Sequence, residues 1–501
     1  MSTKTAKYYV FCTGIVFLVL SQSQVRSFST LDYEPAGLAS PVTVNVKSFG
    51  ATGDGINDDR EAIQRAIDSV SMSGGTIFFP TGTYRIATSV LEDVSGLSVA
   101  LRIGSFVSLL GEGAGKSIIK ADPEMSSSLN RFLLNKEPGD SNISIGHLTI
   151  DSANNPLSSG SGAAISFVEA NNIAIEDVEL TNVKKEAISL LSVSNFTIRN
   201  NLVNNAWTGI SLRDCSNGDV VDNTITSTGG DGILVMSISN QDYEPQEADG
   251  KCTDLQIQSN SISAVNDTAI DIDDSGEGDY HENIIVSENI IKNNLASSAS
   301  VGIRASYSSN IIIIHNIITN PSTGILLDTP TTPPKPIFVS GNIIEGFTKT
   351  GIIAAYTGAT IEGNSIYGTD GLVSSRDDNM IPPSPPIGPK VGIALRSGSL
   401  EVVNNHIEDV DYGIRWTGDS VNSVIEGNII LSANRYGISD DRENDFNIHS
   451  HVISNNIISD NRSPPTMVRG INLEGSSTLN MTIISNNVTG FVSDPAINLV
   501  K

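Results

Sequence analysis

The segment Asp271–Glu282, DIDDSGEGDYHE, is the richest local cluster of titratable side chains in this 501-residue chain. Three chemistries fit it. Asp271 and Asp273 stand two apart, so a strand would present both on one face, and Asp274 follows directly. Close carboxyl groups can split their pKa values and serve as acid and base on a glycosidic bond. The same twelve residues place Asp271, Asp273, Ser275, Glu277, Asp279 and Glu282 at positions 1, 3, 5, 7, 9 and 12, with Gly276 at position 6. That is the donor spacing of a calcium-binding loop, in which hard oxygen ligands wrap a cation after a glycine turn. Gly278 takes position 8, where an aliphatic residue is usual, and an acidic, solvated turn is the alternative. His281 is a histidine beside carboxylates in an expected loop, which makes it a candidate proton carrier.

These residues must be held by the element around them, and that element is a repeat. Short β-branched runs end in Asn, at Asn201, Asn223, Asn260, Asn289, Asn316, Asn342, Asn364, Asn405, Asn428, Asn456 and Asn487. After each turn a small residue followed by Ile opens another strand, as at Gly209-Ile210, Ala269-Ile270, Gly302-Ile303 and Gly413-Ile414. A basal spacing of 22 residues, stretched by insertions to intervals of up to 41, marks a stacked solenoid. One coil cannot bury its own apolar face, so coils stack, strands pair in parallel and Ile, Val and Leu line the interior. Asn suits a left-handed corner and can bond to the coils above and below, so the Asn column reads as structural. His147 falls at an Asn-column position, and His315 and His406 flank one.

With the Ile pointing inward, the second and fourth residues after the Gly or Ala point outward. That face carries Ser211 and Arg213, Asp271 and Asp273, Arg304 and Ser306, Leu326 and Asp328, Arg396, and Arg415. Arg304, one coil beyond Asp271, could clamp a uronate or form a cross-strand ion pair. Arg213, Asp328, Arg396 and Arg415 are candidate substrate contacts, with Tyr307 and Tyr356 as stacking residues. Trp416 alternates inward and reads as core. Insertions near Ser237–Lys251, Asp274–Glu282, Ser374–Lys390 and Asp440–Phe446 are expected to follow the same strand and wall a groove.

Net charge is −26. Such a surface repels nucleic acid, and no nucleotide-binding motif is present: Gly111–Lys116 lacks the phosphate-loop spacing. Polyanionic glycans would need a local basic cleft or a cation. Lys4 and Lys7 precede an apolar run from Tyr8 to Leu20, so residues 1–23 read as a signal peptide or anchor, 24–40 as a flexible lead and 41–501 as one domain. The protein is expected to be secreted or on the cell surface, with any membrane contact through that leader. Export permits disulfides. Cys215 and Cys252 each stand eight residues before a repeat Asn. Equivalent positions in adjacent coils lie about 4.8 Å apart, which suits a disulfide; two buried thiols are the alternative.

Val44 to Phe49 reads as a strand and Asp58 to Val70 as a helix that caps the solenoid, with Asp58 and Glu61 as a capping box. The run VNVKSFGATGDGINDDREAIQRAID, then GGTIFFPTGTYRI and LLGEGAGKSIIK, resembles the opening of the pectate-lyase-superfamily proteins. That group includes rhamnogalacturonase-like enzymes, mannuronan epimerases and phage tailspikes. The resemblance implies an all-β, single-domain right-handed parallel β-helix and an extracellular polysaccharide partner. It also implies a lyase, hydrolase or epimerase acting on a uronate-containing glycan, or a non-catalytic glycan-binding surface protein, since one fold hosts all of these. A neutral-glycan hydrolase would tolerate the negative charge better. Asp279-Tyr280-His281-Glu282 is similar to the Asp-Pro-His-Glu motif of the epimerases. Tyr replaces Pro, and the stretch corresponding to that motif's place, Ala187 to Val193, lacks it.

Overall fold

In a computed structural model the repeat closes into a β-helix. The structure describes residues 42–87, 91–92, 98–123, 129–153, 162–237, 250–273, 281–293, 300–328, 336–355, 358–368, 389–396, 398–440, 448–473, 480–493 and 496–499. The expected leader (1–23) and lead (24–40) lie outside them.

One wall is a parallel sheet that runs from Val42–Asn45 to Thr482–Ile484, one strand per coil. The other two walls share a second sheet. One ribbon contains Ser261–Val265, Ile290–Lys292 and Ile317–Thr319, and the other contains Thr268–Asp273, Val301–Ser306 and Thr323–Asp328. Stacking fixes register. Ile188, Ile210, Ile233, Ile270, Ile303, Ile325 and Ile352 are aligned coil upon coil, and each is fully buried. The small residue before each Ile turns the corner: a Cβ on Gly302 would lie 2.5 Å from the Gly324 carbonyl.

Asn has two jobs at the opposite corner, and consecutive residues divide them. The left-handed angle belongs to the residue before the ladder, at Asn200, Asp222, Ser259, Glu288, His315, Asn404 and Asn455. His147 is at this position (φ 55°), so it is not part of the ladder. The ladder Asn is buried, and its side-chain oxygen accepts from both the backbone N–H and the amide of the Asn one coil earlier, as Asn342 does for Asn316 at 2.9 and 3.0 Å. The last rung is Asn486, which accepts from Asn456 at 3.0 Å. Asn487 instead opens the strand Asn487–Thr489.

The N-terminal end departs from expectation in detail. Val42–Asn45 is a strand, and Val46–Phe49 tightens into a 3-10 turn closed by Gly50. The helix is Arg60–Ser69, and no capping box forms. The Asp58 carboxylate accepts from the N–H groups of Arg60 and Ala87, while Asp59 accepts from those of Thr52 and Gly53. The helix buries Ile63, Ala66 and Ile67 over the solenoid end. Gln64 donates to the Arg102 carbonyl and accepts from its N–H, each at 3.0 Å, while Arg60 Nε donates to the Ala100 carbonyl. Helix side chains thus satisfy an edge strand that would otherwise stay unpaired.

The expected disulfide is absent: Cys215 and Cys252 are free, buried thiols in adjacent coils. Stacking brings the two thiols close enough to interact with each other, and each sulfur also meets backbone. Cys252 Sγ accepts from the Cys215 N–H at 3.3 Å, and Cys215 Sγ lies 3.2 Å from the Arg213 carbonyl. Alkylation of the unfolded protein without reductant is expected to label both cysteines, read by peptide mapping; a linked Cys215–Cys252 peptide would contradict this.

Candidate functional site

The outward positions read from the repeat are aligned by strand pairing. Asp271 pairs in register with Arg304, Arg304 with Leu326, Leu326 with Ile353, Ile353 with Ala394 and Ala394 with Arg415. Five coil steps separate Asp271 from Arg415, about 24 Å at the parallel-strand spacing. Insertions leave this ribbon from both edges. Residues 238–249, 274–280 and 441–447 follow its strands, whereas 369–388 precede Val391–Leu395, which corrects the expected single edge.

The centre of the face is a cluster of carboxyl groups around one guanidinium. Arg304 binds Asp271 through both Nε (2.6 Å) and Nη2, and Nη2 also lies 2.8 Å from Asp273. Asp271 is nearly buried, whereas Asp273 and Arg304 keep about a third of their side-chain surface, 30% and 32%. Burial pushes the Asp271 carboxyl up, and Arg304 only partly offsets this. Burial opposes the charge on Arg304, but bonds and charge from Asp271, with Asp273 and Asp231, outweigh it and push the guanidinium well up. Arg304 therefore stays cationic and is unsuited to act as a base.

One coil earlier sits Asp231, which sequence reasoning passed over. It occupies the position before Gly-Ile, where the nearby coils carry Glu186, Thr208, Thr268, Val301, Thr323 and Thr350. A second acid, after Glu186, in a stretch of column otherwise of threonines and a valine was the available signal. Its Oδ1 accepts from the Thr268 N–H at 3.1 Å. Burial, with the charges of Asp271 and Asp267 added, raises its carboxyl to about 7. Asp231 as a residue is half-buried.

Other expected residues divide sharply. His281 is fully buried in the turn column: Nδ1 accepts from the Cys252 N–H at 2.9 Å and Nε2 lies 3.1 Å from the Asp273 carbonyl. Both ring nitrogens are committed to backbone, so His281 holds the corner and is withdrawn as a proton carrier. His451 repeats the first of these contacts, its Nδ1 accepting from the Ser423 N–H at 2.9 Å. Arg213 is buried against Glu186, at 2.5 and 3.2 Å, and so is sealed rather than open to a ligand. Burial alone would raise Glu186, but Arg213, helped by Arg131, holds it below the usual carboxylate range. Asp328 and Arg396 are exposed on the face, and Tyr307 is half-buried at its edge. Arg415 is half-buried, with its guanidinium carbon 4.2 Å above the Tyr412 ring. Tyr356 lies outside the described residues. Trp416 is core, as read, stacked 5.0 Å from His451.

The calcium reading meets a similar obstacle. Asp271 and Asp273, its first and third donors, are bound by Arg304. Its last donor, Glu282, lies in strand His281–Ser287 of the opposite wall. Asp274, Ser275, Glu277 and Asp279 lie outside the described residues. Among the described residues no group of three or more metal-ligating side chains is placed to hold an ion.

Residues 43–145 match a family model described as rhamnogalacturonase A/epimerase, pectate lyase-like, and residues 139–299 and 301–491 match the right-handed β-helix region. The chain is similar to alginate lyase 7 of Azotobacter vinelandii, 29% identical over 39% of this chain and 24% of that protein. It is also similar to the mannuronan C5-epimerase AlgE1 of the same organism, 30% identical over 36% of this chain and 13% of that protein. The chain thus spans a quarter or less of the length of these relatives. Among solved structures it resembles the pre-mature gene product 12 of bacteriophage phi29, with a TM-score of 0.57 and 18% identity over 91% of this chain and 58% of that one. It also resembles a tailspike protein of the E. coli bacteriophage HK620 in complex with a pentasaccharide, with a TM-score of 0.55 and 16% identity over 88% and 80%. At these identities the structural likeness speaks for fold alone.

Proposed function

This chain belongs to the right-handed β-helix proteins of the pectate-lyase-like superfamily, and from that premise we propose that it cleaves a uronate-containing polysaccharide outside the cell. The glycan lies along the outward face, and Asp231 protonates the departing glycosidic oxygen. One arrangement carries the reading: Asp231, its carboxyl pushed up to about 7 by burial and by Asp271 and Asp267, stands one coil from an arginine-clamped carboxylate pair. A group poised near the working pH is what acid catalysis requires. Arg304 holds Asp271 and Asp273 in place and supplies fixed positive charge. Asp273, partly open, takes the balancing proton, either from the water that attacks the anomeric carbon in hydrolysis or from C5 of the uronate in elimination. The uronate class rests on the alginate lyase and mannuronan epimerase relatives. Export rests on the apolar run Tyr8–Leu20.

A non-catalytic glycan-binding role is the second reading. It is favoured by the engagement of Asp271, Asp273 and Glu186 with arginines, which leaves fewer carboxylates free for chemistry. The test is incubation of the purified protein with pectate, alginate, rhamnogalacturonan and neutral glycans, with calcium or chelator, followed by mass spectrometry and proton NMR. New unsaturated ends are expected from elimination, and new saturated reducing ends from hydrolysis. Altered uronate signals without chain cleavage would remove Asp231 from the role of leaving-group acid. Binding without any product would establish the second reading.

A further inference from the structure

The chain has two tryptophans, and they have opposite fates. Trp416 is core; Trp207 is 58% exposed. Exposing an indole forfeits the burial its large apolar surface would gain, and nothing in the stacking of coils requires it. The ring is nevertheless held firmly. It lies against Gly229 and Gly230 of the next coil, where a Cβ would come within 2.8 Å of Cε3 and 3.2 Å of Nε1 respectively. The Gly230 N–H donates to the Trp207 carbonyl at 2.7 Å, fixing the two coils to each other. The two glycines are therefore a bed cut to the shape of the indole.

The ring borders an open groove of about 460 Å³ whose other lining includes Lys184, Asn205, Ser227, Thr228 and Asn266. A flat aromatic face ringed by amides, hydroxyls and one ammonium suits a pyranose ring bearing a carboxylate. The C–H face of the sugar stacks on indole, its hydroxyls meet the amides, and its carboxylate meets the lysine. An apolar peptide would leave those polar groups desolvated and unpaired. The groove also adjoins the face described above. Trp207 directly precedes Thr208, and Gly230 directly precedes Asp231, both in the column before Gly-Ile.

We infer that Trp207, bedded on Gly229 and Gly230 and flanked by Lys184, is a uronate-binding subsite that receives the glycan at the edge of the outward face. This deepens the proposed function and rests on it for the identity of the glycan.

Trp207 is its own reporter. Oligomannuronate and oligogalacturonate, with a neutral cello-oligosaccharide as control, are titrated against the full protein while tryptophan emission is followed. Either uronate oligomer is expected to quench and blue-shift the emission saturably. Trp207→Ala should abolish the change and Trp207→Phe should retain binding when read by calorimetry. Lys184→Gln should weaken uronate binding about tenfold, the loss of one charge-assisted contact. No emission change with either uronate, or undiminished calorimetric binding in Trp207→Ala, overturns the subsite. Equal affinity for the neutral oligomer overturns the carboxylate assignment. Because binding is read without turnover, an inactive protein that still shows the Trp207 response would sink the cleavage reading and leave the subsite standing.

Discussion

Replacing Asp231 by Asn is expected to lower glycan cleavage by about 10²- to 10⁴-fold, the usual contribution of a positioned acid, while making the protein more stable at neutral pH. The two effects share one cause. In the unfolded chain an aspartate titrates near 3.8, and in the folded protein burial and the neighbouring Asp271 raise Asp231 to about 7. Between those values the unfolded state gives up its proton and the folded state keeps it. Stability therefore falls as pH rises from about 4 to about 7, and then levels. The full span is worth about 4 kcal/mol as an upper figure. Asn cannot ionise, yet its side-chain oxygen can still accept from the Thr268 N–H. Denaturation midpoints between pH 4 and 8 should fall for the wild type and stay flatter for the variant. In the wild type, cleavage should decline above about pH 7 as the acid is lost. A variant of unchanged activity would remove Asp231 from the chemistry, and one destabilised at pH 8 would contradict the buried-acid account.

The second large effect concerns the corner, where neighbouring asparagines should respond in opposite ways to one substitution. Asn405→Gly is expected to destabilise by about 4 kcal/mol, whereas Asn404→Gly should change stability by less than about 1 kcal/mol. Asn405 is fully buried. Its side-chain oxygen accepts from the backbone N–H and the amide of Asn364 at 3.0 and 2.9 Å, and its amide donates to the Ile361 carbonyl and to Asn428. Removing it strands donors on Asn364 and takes the amide donor from the Ile361 carbonyl, while Asn428 keeps only the backbone N–H of residue 405; each unsatisfied buried group costs about 1–3 kcal/mol. In a solenoid each coil is held chiefly by its neighbours, so the break falls in the middle of the stack. Asn404 is exposed with φ near 55°, a conformation glycine adopts without strain. Urea denaturation of the two variants makes the comparison; equal losses would mean that conformation and ladder are not divided between them.

That division shows where a linear reading loses resolution. The period of the Asn column, the buried Ile stack and the outward alternation were all legible, because each is a local pattern repeated until it is unambiguous. A one-residue offset within an Asn-Asn pair was not, since both residues suit a tight corner. The same limit let Asn487 stand for Asn486 and placed His147 on the wrong side of the corner. The free thiols show a related limit: stacking brings Cys215 and Cys252 close, but spacing along the chain fixes neither the sulfur separation nor the torsion that a disulfide needs.

For the site, the sequence by itself determined that Asp271, Asp273 and Arg304 share one outward face in adjacent coils, because strand alternation and repeat register dictate it. Tertiary structure alone decided what those groups can do. Arg304 closes on Asp271 and Asp273 from 33 and 31 residues away along the chain, and His281 turns both ring nitrogens to backbone. Asp231, an ordinary acid in the sequence, holds its proton to near neutrality because coils distant in the chain bury it beside Asp271. Register follows from local periodicity, whereas proton affinity follows from the dielectric and charge of everything within a few ångströms, and that neighbourhood exists only once the coils have stacked.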